Sequence, residues 1–122
     1  MTRKSIEFTG WQVQPHHLWD KQWLVLTCGD FHSGKFNSMI VGWGGFGTMW
    51  NKPFAITVVR PQRYTYEFME KYDSFTLSAF SKKYKKALDI LGTKSGRQMD
   101  KYRETGLTPI PSAQISAPGF DE

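Results

Sequence analysis

The stretch Asn37–Pro53, NSMIVGWGGFGTMWNKP, decides how this chain is read. It contains Gly42-x-Gly44-x-x-Gly47, the spacing of a dinucleotide-binding glycine loop, and Glu67 stands twenty residues beyond the last glycine. Such a loop works only where a helix starts at the glycines, because the pyrophosphate rests on that helix N-terminus. Here Pro53, six residues past Gly47, would fall inside the helix, where proline costs about 3 kcal/mol. The next run, FAITVV (Phe54–Val59), reads as a strand, and Glu67 falls in a helical pattern rather than at the end of a second strand. The spacing lacks its strand–loop–helix context and is rejected as a nucleotide fold signal. Two readings of Trp43–Gly47 stay open. One is a strand end with a bulge and a tight turn. The other is a place where glycine backbone lets a flat ligand come within hydrogen-bonding range beside a Trp ring.

On either side, the chain reads mostly as strands. QWLVLTC (Gln22–Cys28) and FNSMIVGW (Phe36–Trp43) are rich in branched and aromatic residues, and the glycine-bearing loop between them suggests a hairpin. FAITVV is apolar on both faces, so a central strand is expected. Pro61 pushes Arg60 toward extended backbone. TYEFMEKY (Thr65–Tyr72) reads as a short helix with Thr65 as N-cap and Tyr64, Phe68 and Tyr72 on one face. SFTLSAF (Ser74–Phe80) alternates, with Phe75, Leu77 and Ala79 on one side. In SKKYKKALDILG, Ser81 is placed as cap, Tyr84, Ala87, Leu88 and Leu91 form the apolar stripe, and Gly92 marks the stop. The lysines of its first turns oppose the helix dipole, as a solvated face or as room for an anion. A last helix is expected over Met99 to Glu104, ending at Gly106. The tail has three prolines and reads as loop with one short strand. Strands joined by hairpins predict an antiparallel sheet or barrel, mainly β, with helices packed outside.

Composition bounds the class. The 122 residues fit one domain, and nine Phe, five Tyr and five Trp supply a core. The lone cysteine, Cys28, excludes an internal disulfide and reads as a small core residue in a reducing, cytoplasmic setting. No apolar run approaches membrane-spanning length, and the N-terminus lacks the apolar core of a signal peptide. The net charge of +5 is compatible with an anionic partner and equally with plain solubility. His16, His17 and His32 fall in no metal-ligating or catalytic spacing. No side-chain nucleophile or general acid stands out, so any redox chemistry would belong to a cofactor.

Three segments, FNSMIVGWGGFGTMWNKPFAITVVRPQRYTYEFME, DSFTLSAF and LGTKSGRQMDKYRETGLTP, resemble the flavin reductase-like family of FMN-binding split barrels, which includes flavoredoxins and small flavin reductases. The resemblance runs from Cys28 to about Pro109. It implies an antiparallel Greek-key split barrel forming one FMN-binding domain over residues 1–122, a homodimer, and electron transfer or flavin reduction with NAD(P)H and a redox acceptor. It implies that Asn37, Ser38, Met39 and Trp43 run along the isoalloxazine. Arg63, Tyr64 and Thr65 match the segment near the ribityl phosphate, and Ser95, Arg97 and Lys101 match a basic loop that reaches the cofactor or its phosphate. The residues agree independently, since a phosphate favours a helix N-terminus with a hydroxyl and cations, here Thr65 behind Arg63 and Arg60. The plainer reading of those arginines is surface pairing, with Glu67 one turn on. Family members run on for several more strands, so the chain is expected to be a fragment, or a short variant that closes its barrel differently. The rival function is a small basic barrel that stacks single-stranded nucleic acid on its Trp and Tyr rings. A flavin site that now only scaffolds a partner is a further alternative.

Overall fold

The computed structural model describes residues 3–97 and 99–122. A helical segment, α1, covers Pro15–His17 and runs on as a wider turn over Leu18–Gln22. Strands β1 (Leu24–Asp30), β2 (Lys35–Val41), β3 (Gly44–Met49) and β4 (Lys52–Thr57) follow. Then come α2 (Tyr64–Lys71), β5 (Phe75–Ser78), α3 (Lys85–Thr93) and α4 (Lys101–Thr105). The tail adds two short strands, β6 (Pro109–Ile110) and β7 (Gly119–Phe120).

All pairings are antiparallel, and the strands fall into three sheets: β2-β1-β5, β3-β4 and β6-β7. The expected sheet with outside helices is present, but among the described residues no sheet closes into a barrel. The first hairpin forms as its sequence predicts, with Leu26 opposite Met39. The central strand is β1, not the Phe54–Val59 run. β1 alternates between two cores. Leu24, Leu26 and Cys28 join Leu18, Trp19, Met39 and Val41 on one face, under Phe68 of α2. Val25 points the other way, into Ala87, Leu88 and Leu91 of α3 together with Phe80 and Phe120. The stripe expected on α3 is therefore the face that packs. That helix enters through a tight turn at Lys82–Tyr84 with no side-chain cap from Ser81, and Gly92 continues it rather than stopping it.

The glycine-rich run is itself a strand, which neither reading of the sequence anticipated. In β3, Gly44 and Phe46 lie on the side of the Trp19 ring. Phe46 packs on Trp19 and Trp11, at centroid distances of 5.4 and 5.1 Å. A methyl group on Gly44 would overlap the Ile56 carbonyl and the Trp19 ring, so glycine is required there for close packing. β3 turns into β4 through Trp50 and Asn51, with φ of 50° and 62°, the two-residue turn whose twist suits a hairpin. β4 pairs only with β3, so its second apolar face, Phe54 and Ile56, is left exposed.

Candidate functional site

The segment Asn37–Trp43 leads from the buried sheet into the exposed ribbon, and the turn before α2 passes beside it. Two cavities open along this line. One, of about 260 Å³, is lined by Asn37, Met39, Arg63, Tyr64, Thr65 and Lys101, with Ser95 and Lys94 at its edge. The other, of about 180 Å³, lies between Trp43, Val58 and Arg60 on one side and Met39 and Gly42 on the other. Met39 and Arg63 line both, so the two form adjoining parts of one groove.

α2 begins one residue earlier than the sequence suggests. Arg63 is the extended N-cap residue, no side chain caps the helix, and Thr65 is its second residue. The Thr65 hydroxyl turns inward and accepts a hydrogen bond from Asn37 Nδ2 at 2.9 Å. The expected capping role of Thr65 is corrected accordingly: the first-turn amides of Tyr64 and Thr65 have no helical carbonyl behind them and stand at the groove. The arginines do not pair as the plainer reading had it. Glu67 is bound by Arg97, and among the described residues neither Arg60 nor Arg63 meets a carboxylate. Arg60 instead lies over the face of Trp43, 6.0 Å from its centroid, while that indole remains 65% exposed.

Ser38 lies behind the groove rather than in it. Its hydroxyl is shared with Thr27 Oγ1 at 2.6 Å and Tyr102 OH at 2.8 Å, and its carbonyl accepts from Lys101 Nζ at 2.7 Å. Arg97 also stands outside, stacked over Tyr64 at 4.7 Å while holding Glu67. The Ser95 hydroxyl accepts from the Arg97 amide at 3.2 Å and shapes the loop. A methyl group on Gly96 would overlap Asn37 Oδ1, so this glycine lets the loop close on β2. Lys101, preceded by the N-cap Asp100 of α4, is carried inward to 4% exposure. Burial first, and the Arg63 guanidinium second, hold its ammonium down to about pKa 8. Burial pushes the Cys28 thiol up to about 11, as befits a core residue.

Of the residues expected from the sequence, Asn37, Met39, Trp43, Arg60, Arg63, Tyr64, Thr65, Ser95 and Lys101 line the groove. The sequence did not point to Tyr102, which braces Ser38 from a different helix, or to Val58, which walls the Trp43 end. Neither sits in a local pattern that could have announced it.

Cations, first-turn amides without a helical carbonyl partner and a largely exposed indole make a groove suited to a molecule with an anionic end and a flat end. No helix is long and apolar enough to cross a membrane.

No protein-family model matches the chain. It is 29% identical over 92 residues to an uncharacterized protein of Pyrococcus abyssi, across 75% of this chain and 51% of that one. Among solved structures, flavoredoxin of Desulfovibrio vulgaris (Miyazaki F) superposes with a TM-score of 0.74 at 27% identity, over 99% of this chain and 62% of that one. An FMN-binding domain of a flavin reductase-like enzyme from Shewanella baltica gives 0.72 at 17% identity, over 87% and 55%. Nitrilotriacetate monooxygenase component B from Bacillus cereus gives 0.64 at 16% identity, over 99% and 64%. The chain thus spans about half the length of the curated relative and 55% to 64% of these solved structures. Antiparallel sheets flanked by helices, a groove along Asn37–Trp43 and these superpositions agree on one conclusion: the chain is flavin reductase-like in fold.

Proposed function

We propose that the chain binds flavin mononucleotide in this groove and serves electron transfer or NAD(P)H-dependent flavin reduction. The observation that carries the reading is the junction of the two cavities at Met39 and Arg63, which joins a cationic end to an aromatic end. Arg63, the first-turn amides of α2 and Lys101 suit the phosphate end. Trp43, backed by Arg60, offers an apolar face to the ring. The buried Lys101 ammonium, without a carboxylate partner among the described residues, is the feature most in need of an anion. When bound, the flavin supplies the hydride and electron chemistry, and the chain binds, orients and shields it. We further propose that the sheets belong to a split Greek-key barrel and that the exposed outer face of β4 supports a homodimer. The reductant and a redox acceptor complete the same proposal.

The test is a visible spectrum of the purified chain before and after FMN is added, followed by fluorescence titration. A flavin band that bleaches on reduction is expected. Each charge-assisted hydrogen bond to phosphate is worth about 1.5–3 kcal/mol, so Arg63→Ala is expected to weaken binding at least about tenfold. A colourless protein that takes up no FMN would overturn the reading.

A further inference from the structure

Among the described residues, Lys101 is the one charged side chain that is buried. Its ammonium carries three donors, and the Ser38 carbonyl accepts one of them at 2.7 Å. It stands in the wall between the groove and a larger cavity of about 710 Å³ on its other side. The ionisable groups around these two spaces are mostly cationic. Lys35 comes from β2, Arg63 and Lys71 from α2 and the turn before it, and Lys94 from the end of α3. Tyr64 and Tyr72 face them from α2, and Tyr102 follows on α4 with its hydroxyl engaged by Ser38. The two carboxylates there are both occupied: Glu67 by Arg97, and Asp100 by the Tyr102 and Arg103 amides that it caps. The protein thus buries an ammonium beside both cavities, with the Ser38 carbonyl as its acceptor and no carboxylate paired with it among the described residues.

We propose that Lys101 is the proton-linked anion anchor of the groove: part of the unliganded protein holds it as a neutral amine, and it takes a proton from solvent when an anionic oxygen of the ligand enters. The inference rests on the flavin reading of the site. The Nζ lone pair gains one proton, and nothing else is made or broken. Burial and Arg63 disfavour the ammonium in the empty groove, and a negative oxygen within reach restores it. That oxygen belongs either to the phosphate or to a ring edge that carries negative charge.

The unliganded chain gives one test. On Lys101 the folded form holds fewer protons than the unfolded chain, so between about pH 7 and 9, before the raised Cys28 thiol acts in the opposite sense, the stability of the wild-type chain is expected to rise with pH relative to Lys101→Met. A difference between the two denaturation midpoints that stays flat or falls there would overturn the proposal.

Calorimetry of the full chain with FMN, in two buffers of different ionisation enthalpy, gives the other. Proton uptake per FMN is expected to grow as the pH is raised from about 7 to 9. Lys101→Met abolishes the uptake, and Lys101→Arg binds FMN without it. FMN binding with no proton exchange, or with unchanged uptake in Lys101→Met, would overturn the proposal and leave the flavin reading standing. Absence of FMN binding in the wild-type chain would overturn both. Riboflavin identifies the source: uptake with FMN alone assigns the anion to the phosphate, and uptake with both assigns it to the ring, each supporting the anchor.

Discussion

The β2-β1-β5 sheet and the β3-β4 ribbon are built from similar residues and end in opposite environments. β1 is Leu-Val-Leu-Thr-Cys and is buried throughout, while β4 carries Phe54, Ala55 and Ile56 and is exposed along one face. Apolar content does not separate them. What separates them is the number of neighbours each acquires. β1 has a strand on both edges and helices over both faces, whereas β4 has one strand and one covered face. Burial is a property of the assembly, and an apolar strand that gains no second layer stays in water.

The largest expected contrast tests this directly. Leu26→Ala empties a fully buried position between α2 and the sheet and is expected to cost about 2–5 kcal/mol in urea denaturation. Ile56→Ala removes a side chain that is already 59% exposed and is expected to cost no more than about 0.5 kcal/mol. Equal losses would show that the ribbon is covered in solution. A smaller contrast lies inside the ribbon. Gly44→Ala drives a methyl group into the Ile56 carbonyl and Trp19, with an expected loss of about 1–3 kcal/mol, whereas a methyl on the adjacent Gly45 meets nothing within 4 Å. A stable Gly44→Ala protein with unchanged Trp fluorescence would place Trp19 elsewhere. The smallest effect is at the hairpin tip. Trp50 is 92% exposed and holds a left-handed φ of 50°. Replacing Trp50-Asn51 by Asn-Gly suits the turn and is expected to raise the melting temperature, by a gain of about 0.4–1 kcal/mol. A loss would mean that the indole itself holds the tip.

Much of this fold was legible wherever the signal is local. The β1–β2 hairpin, the packed stripe of α3 and the Tyr64–Phe68–Tyr72 face of α2 follow from periodicities of two and 3.6, and the α2 rings do meet, at 5.2 and 6.2 Å. The rejection of a nucleotide loop at Gly42–Gly47 also held, because one proline sufficed to exclude the helix. Strand β3 was not legible. Its glycines erase the alternation that marks a strand, and the reason for Gly44 lies in Trp19, more than twenty residues upstream. The ends of α2 and α3 shifted for a similar reason, since Thr65 is drawn inward by Asn37 and Ser81 caps nothing.

By itself, the sequence determined an antiparallel β framework with helices outside, the residues able to line a cationic and aromatic groove, and the absence of a helical nucleotide loop. These rest on hydrophobic period, proline geometry and residue chemistry, all of which act over a few neighbouring residues. Only the tertiary structure decided that β1 and not β4 is central, that Glu67 goes to Arg97 and leaves Arg63 facing the groove, and that Lys101 is buried against the Ser38 carbonyl. Each of those outcomes depends on contacts between residues far apart in the chain, where competition among partners and access to water set the energy.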